Sequence, residues 1–207
     1  MSKIILYRHP LSGHSHRVEF LLSILNMKYD AVVVDLKSGA HQLPEFLSRN
    51  PFGQVPVLED GNDVIADSNA ILVYLASKYD TQHRWLPHDV LSAARVQQFL
   101  SIAAGPIAYG PATARLINVF GARLDHANAK QVAHQILSQL DQHLKQRSWL
   151  AASHATLADL ANYAYIAHAP EGDIALEPYH AVKAWLRRVE AIPGFIGMKP
   201  TNLREPL

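Results

Sequence analysis

Short apolar runs and helical spacings alternate through the first eighty residues. Lys3 to Tyr7 is a β-rich run closed by Pro10, and Val18, Leu21, Leu22 and Leu25 follow at i, i+3, i+4 and i+7, one face of a helix. Ala31 to Val34 predicts a second strand, and a strand–helix–strand order calls for a right-handed crossover between parallel strands. A polar stretch, Lys37 to Gln42, leads to a short helix around Pro44 to Ser48. Val55 to Leu58 and Val64-Ile65 flank Glu59-Asp-Gly-Asn-Asp63, whose Asp-Gly pair predicts an antiparallel hairpin. Asp67-Ser68 then opens an amphipathic helix through Ile71, Leu72, Tyr74 and Leu75.

Strand signals hardly recur after Tyr79. The polar stretch from Tyr79 to Asp89 carries Pro87, and the rest of the chain is Ala-, Leu- and Gln-rich with helical spacing, as in Val132, Ile136, Leu140 and Leu144. The pattern therefore divides the chain into an α/β domain over 1–80, a linker over 81–89 and an all-helical domain over 90–207. Gly105-Pro106 and Gly110-Pro111 should interrupt a helix and free carbonyls that need other partners. Thr156-Leu-Ala-Asp159 reads as a capping box with Asp in place of Glu.

Composition narrows the partners. Lys and Arg number 19 against 18 Asp and Glu, a net charge of +1, with no long basic block. That gives no electrostatic footprint for a nucleic acid or an anionic membrane. No apolar run approaches the roughly 18 residues of a membrane span, and the first residues read as a strand rather than as a charged, then apolar, leader. We expect a cytoplasmic protein without nucleic-acid or membrane partners. With no cysteine among 207 residues, thiol catalysis, thiolate metal sites and dithiol redox cycling are excluded, and sulfur chemistry must arrive with a ligand. Twelve histidines raise the question of a metal, but His14-x-His16 lacks the i, i+4 spacing of a zinc pair, so no metal is expected.

Three segments carry candidate chemistry. The elbow Leu11-Ser-Gly-His-Ser-His-Arg17 joins the first strand to the first helix and directs the helix N-terminus at its ligand side, where an anion or thiolate is stabilised. Ser12 and Ser15 also read as plain caps. Gln54-Val-Pro-Val57 puts a proline at the edge, the start or a bulge of a strand; a cis peptide before Pro56 would let the backbone of Val55 pair with an extended peptide, and Pro56 also reads as a plain edge-strand proline. Asp67-Ser68 offers a third polar point at a helix start, suited to a carboxylate, or a simple cap.

An anion site, a backbone ladder and a carboxylate site in one row suit a short, charged, thiol-bearing peptide. The stretches Ser48-Arg-Asn-Pro-Phe-Gly-Gln-Val-Pro-Val-Leu-Glu-Asp-Gly61 and Asp67-Ser-Asn-Ala-Ile-Leu-Val-Tyr-Leu75 resemble the glutathione-binding motifs of the cytosolic glutathione transferases, and the resemblance spans essentially the whole chain. It implies a thioredoxin-like first domain of order βαβ-α-ββα, an all-α second domain and a homodimer. It further implies transfer of an alkyl or aryl group to the glutathione sulfur, the chemistry of detoxification, with glutathione as co-substrate. Residue by residue, Ser12 matches the active-site serine of the phi and zeta classes, and Ser15 competes with it for the sulfur. His41 and Gln54 correspond to contacts at the glycyl end, with Gln42 replacing a usual lysine; Val55 corresponds to the cysteinyl contact, Pro56 to the cis proline, and Asp67 and Ser68 to the γ-glutamyl end. Gly13 and His14 replace the Ser-Cys pair of the zeta pattern, which argues against the zeta isomerase reaction.

The helical domain is expected to supply the wall for the electrophile, with Phe99, Ile102, Tyr109 and Leu116 as candidates near the Gly-Pro breaks; the same residues also read as core. Two alternatives remain. One is a glutathione-dependent peroxidase or isomerase. The other is a non-catalytic binding protein of the same fold, disfavoured by the joint presence of Ser12, Pro56, Asp67 and Ser68.

Overall fold

The computed structural model describes residues 3 to 201. The chain falls into two compact units: one runs to His83 and takes in Pro193–Lys199, and the other runs from Arg84 to Ile192 and resumes at Pro200.

The first unit is built on a mixed four-stranded sheet of order β2-β1-β3-β4. Strand β1 (Ile4–Arg8) leads through the elbow into α1 (Gly13–Ile24), which returns the chain to β2 (Asp30–Val33), parallel to β1. A 3-10 turn (Ala40–Gln42) and the short α2 (Pro44–Leu47) come next. Strands β3 (Val57–Asp60) and β4 (Asp63–Ala66) are antiparallel, and α3 (Ser68–Tyr79) completes the βαβ-α-ββα order.

Two details depart from the sequence pattern. Strand β3 begins at Val57 rather than Val55, because Pro56 has no N–H to give to a ladder. The hairpin is tighter than a five-residue loop: Asp60 pairs with Asp63 across Gly61-Asn62, and Gly61 turns at φ 64°, where a side chain would be strained.

The segment 193–199, which the periodicity assigned to the helical domain, packs on α1 instead. Phe195 meets Phe20 edge to face at 5.2 Å, and His16 Nε2 donates to the Ile196 carbonyl at 2.7 Å. Gly194, at φ 84°, brings its backbone so close to Ile24 that a Cβ there would stand 3.1 Å from the Ile24 Cα.

The second unit is helical: α4 (Val90–Ala104), a π turn (Ala108–Ala112), α5 (Thr113–Phe120), α6 (His126–Leu144), α7 (Leu157–Ala167), a 3-10 turn (Ala169–Gly172) and α8 (His180–Glu190). The first Gly-Pro pair ends α4 at Gly105, and the second lies inside the π turn, where the Ala108 carbonyl is taken by Thr113 Oγ1 at 2.9 Å. Helix α7 is buried from Leu157 to Ile166 and opens with the expected capping box. Its Asp159 also accepts from Leu150 N and Trp185 Nε1, so one buried carboxylate ties the helix start to the preceding loop and to α8. No helix among the described residues is long and apolar enough to cross a membrane.

Candidate functional site

Register places three of the predicted segments at one end of the sheet. Tyr7, near the end of β1, pairs with Val57 at the start of β3, and Val57 pairs with Ala66 at the end of β4. The elbow after β1, the Val55-Pro56 pair before β3 and Asp67-Ser68 after β4 therefore share that edge. Side chains close the gap between elbow and α3: His14 Nδ1 lies 3.3 Å from Ser68 Oγ, and Arg17 Nη1 donates to Ser68 Oγ at 3.2 Å and to Asn69 Oδ1 at 2.8 Å.

Ser12 is the N-cap of α1. Its Oγ accepts from Ser15 N at 3.2 Å, and its carbonyl accepts from His16 N at 2.9 Å. A hydroxyl has one hydrogen besides its two acceptor sites, so the cap leaves the O–H of this partly exposed residue available at the positive end of the helix. Ser15 differs. It is fully buried, and its Oγ takes the His9 N–H at 3.2 Å. Burial, and after it the charge of Arg17, bring the His14 imidazole down to about 3. His14 is therefore neutral at ordinary pH and contributes no charge to the elbow.

The Val55-Pro56 peptide is cis, and Val55 stands outside the β-ladder while its side chain packs on the cluster of Val34, Phe46 and Val57. The turn before it is organised by the buried Asn50, whose Oδ1 accepts from Phe52 N at 3.1 Å and whose Nδ2 donates to the Gln54 carbonyl at 2.8 Å. His41 and Gln42 pack over Gly53: a Cβ on Gly53 would stand 2.6 Å from Gln42 Nε2 and 3.1 Å from the His41 carbonyl. Close approach and φ 60° both call for glycine there, and they bring the 3-10 turn beside Gln54. His41 Nδ1 is buried without a partner. An unmet acceptor is less costly than an unmet donor, which favours the tautomer with its hydrogen on Nε2.

Asp67 is the N-cap of α3, and its Oδ1 accepts from both Asn69 N and Ala70 N at 2.9 Å. It is exposed and holds φ 73°, a sparsely populated conformation for a residue with a side chain. Ser68, beside it, is buried.

In the helical unit the four electrophile-site candidates part company. Phe99 is a core residue: its ring is closed in 5.2 Å from His143, and its carbonyl accepts from Asn162 Nδ2, so it packs the bundle and offers no free surface. Ile102 is half-buried. Tyr109 is 68% exposed on the π turn and Leu116 is 42% exposed on α5, joined four residues on by Phe120 at 40%. The sequence reading missed Phe120, although its i+4 spacing from Leu116 was the available signal. It also missed Arg17 and Asn50. Among the described residues no group of three or more His, Asp or Glu side chains could hold a metal ion.

Comparison with known proteins bears on this geometry. Residues 2–77 match the model of the glutathione S-transferase N-terminal domain and residues 112–193 that of the C-terminal domain. Glutathione S-transferase 3 of Zea mays is 36% identical over 211 residues, spanning 94% of this chain and 92% of the maize protein. Among solved structures, a possible glutathione S-transferase from Rhodopseudomonas palustris superposes with a TM-score of 0.87 at 33% identity, over 97% of this chain and all of that one. A Drosophila mojavensis homologue solved with bound glutathione gives 0.82 at 28% identity, over 93% and 90% of the two chains. The thioredoxin-like sheet, the helical second unit and a match running almost end to end with the maize enzyme lead to one assignment: this chain belongs to the glutathione S-transferase family.

Proposed function

We propose that the protein binds glutathione along the shared sheet edge, that Ser12 holds its sulfur as the thiolate, and that the thiolate attacks a small, largely hydrophobic electrophile. The observation that carries this reading is the state of Ser12: partly exposed at the start of α1, with an acceptor site spent on Ser15 N and its hydrogen left to give. Ser15, buried and bound to His9 N, is a framework residue. The thiolate is the nucleophile, so Ser12 is a donor and neither a base nor a covalent intermediate. The new carbon–sulfur bond takes its electron pair from the thiolate, and the leaving group departs with the pair from the bond that breaks.

The tripeptide runs along the edge. Asp67, with one carboxylate oxygen capping α3, offers its negative charge to the α-ammonium group, and Ser68 meets the α-carboxylate. The Val55 backbone, outside the ladder, pairs with the cysteinyl unit; Gln54 and the Nε2–H of His41 meet the glycyl end. Tyr109, Leu116 and Phe120, exposed apolar side chains of the helical unit, support a largely hydrophobic second substrate. Phe52, 80% exposed beside the glutathione edge, supports a homodimer in which a second copy covers it. The family resemblance supports a cytoplasmic setting for this chemistry.

The test is an ultraviolet titration of bound glutathione, followed by conjugation assays with aryl and alkyl halides. Ionisation well below the free thiol value of about 8.5 supports the mechanism. Glutathione that binds without acidifying overturns it and favours the non-catalytic reading.

A further inference from the structure

The strap 193–199 follows α8 in sequence yet belongs to the first unit. Its contacts move along α1 one turn at a time: Gly194 lies against Ile24, Phe195 meets Phe20 edge to face at 5.2 Å, and the Ile196 carbonyl takes the His16 Nε2–H at 2.7 Å. Residues 24, 20 and 16 share a helix face at i, i−4 and i−8, so the strap runs toward the N-terminus of α1, the end that carries Ser12. On the α1 side the contact is buried, with His16 3% exposed and its ring 6.0 Å from that of Phe20.

The backbone ties His16 to Ser12. The His16 N–H makes the first hydrogen bond of α1, to the Ser12 carbonyl at 2.9 Å, while Ser12 N donates to the His9 carbonyl at 3.0 Å and Ser12 Oγ accepts from Ser15 N. The neighbours Ser15 and His16 thereby hold the elbow from two sides: Ser15 Oγ closes it on His9 N, and the His16 ring closes it on the strap. A shift of His16 reaches Ser12 through one carbonyl. Nε2 keeps its hydrogen in the charged imidazole as in the neutral tautomer that makes this bond, so the contact persists through a pH titration. Hydrogen bonds weaken steeply with misalignment, and a working site tolerates only about 0.5 Å or 10–20° of displacement.

Resting on the donor role of Ser12 proposed above, we propose that His16, anchored by the Ile196 carbonyl, is a positioning residue for that donor: the strap fixes the first turn of α1 and with it the direction in which the Ser12 hydroxyl meets the glutathione sulfur. His16 touches no substrate in this role. The segment that completes the elbow comes from the far end of the chain, 180 residues on.

The experiment measures the pH at which bound glutathione ionises, its affinity at acidic pH where it binds as the thiol, and the melting temperature. The proteins are the wild type, His16→Phe, His16→Gln, Phe195→Leu, and Ser12→Ala with and without His16→Phe. His16→Phe keeps a ring and removes the donor; the bound thiol should ionise about half a unit to one unit higher, short of the full shift of Ser12→Ala, with affinity for the thiol form changed by no more than about twofold. His16→Gln keeps an N–H donor and should return the ionisation toward the wild-type value. Phe195→Leu loosens the strap from its own side and should shift the ionisation in the same direction; it decides the matter if His16→Phe does not fold. In the Ser12→Ala background His16→Phe should add nothing, because the donor it positions is gone. A lower melting temperature with wild-type ionisation in either His16→Phe or Phe195→Leu, or an undiminished shift in the Ser12→Ala background, overturns the proposal and leaves the glutathione reading intact. Wild-type protein that does not acidify bound glutathione, or Ser12→Ala that acidifies it as well as the wild type, overturns the donor role of Ser12, and this proposal with it.

Discussion

Replacing Ser12 by alanine removes one interaction that the structure shows and one that we propose. One is the cap to Ser15 N, whose loss costs about 1 kcal/mol of stability with alanine and only a few tenths with glycine. The other is the proposed donation to the thiolate. A hydrogen bond to a charged group contributes roughly 1.5–3 kcal/mol, and at about 1.36 kcal/mol per unit its loss raises the bound thiol by roughly one to two units. The sign is fixed by which form the donor favours. It favours the ionised form, so without it the thiol ionises later, and the deficit is full below the wild-type value and vanishes above the mutant one. A more basic thiolate is also the better nucleophile, with a Brønsted coefficient of about 0.4–0.5 for thiolate attack. Part of the loss is thereby returned, and turnover at acidic pH should fall by about three- to fifteenfold rather than by the full change in ionisation. Above the mutant ionisation the variant should equal or exceed the wild type. The assay is a pH profile of turnover at saturating glutathione, alongside the absorbance titration, for Ser12→Ala and Ser12→Gly. Both should show the same shifted profile while differing in thermal stability. A loss uniform across pH, or a shift in the alanine variant only, refutes the donor role.

Other side chains give three further expected outcomes. Asp67→Asn keeps a good N-cap and a residue that tolerates φ 73° but removes the charge that we propose faces the α-ammonium group; calorimetry should show glutathione about tenfold weaker with little change in melting temperature. In the helical unit, burial would push Glu171 up, but hydrogen bonds from Thr201 and His168 and the charge of Arg115 outweigh it and hold the carboxyl at about 2. A depressed carboxylate stabilises the fold in full above its unfolded value of about 4.3 and loses that contribution as the pH falls toward the folded value, so urea midpoints should drop over this window in the wild type and by less in Glu171→Gln. Gly110→Ala would put a Cβ 2.7 Å from Ala133 N, backbone that cannot step aside; calorimetric melting should report about 1–3 kcal/mol of lost stability.

Much of the fold is legible in periodicity because each element buries a repeating face: Val18, Leu21 and Leu22 on α1, Ile71, Leu72 and Leu75 on α3, Ile136, Leu140 and Leu144 on α6. What periodicity misses is held by contacts distant in sequence. The segment 193–199 has no repeat of its own. Its place on α1 depends on a ring set edge to face with Phe20 and a carbonyl bound by His16, 180 residues away. Phe99 fails as a surface candidate for a related reason: a helical aromatic reads the same whether its face meets solvent or another helix, and only the packing of α7, through Asn162, and of His143 decides.

At the site the residue types were legible and their division of labour was not. Ser12 and Ser15 are equivalent as sequence, two hydroxyls at the start of one helix. They separate because Ser15 faces inward to close the elbow on His9 N while Ser12 sits at the cap position. The cap and the catalytic reading of Ser12 are not rivals, since one uses an oxygen lone pair and the other the hydrogen. The same economy governs Asp67, where a single carboxylate oxygen receives two N–H groups of the first turn, those of Asn69 and Ala70, and the other oxygen is not used by the cap. Arg17 escaped notice because a charged residue beside apolar positions ordinarily reads as a solvated face. Its burial is a property of α1 and α3 together: the guanidinium meets Ser68 Oγ and Asn69 Oδ1 only once both helices are in place.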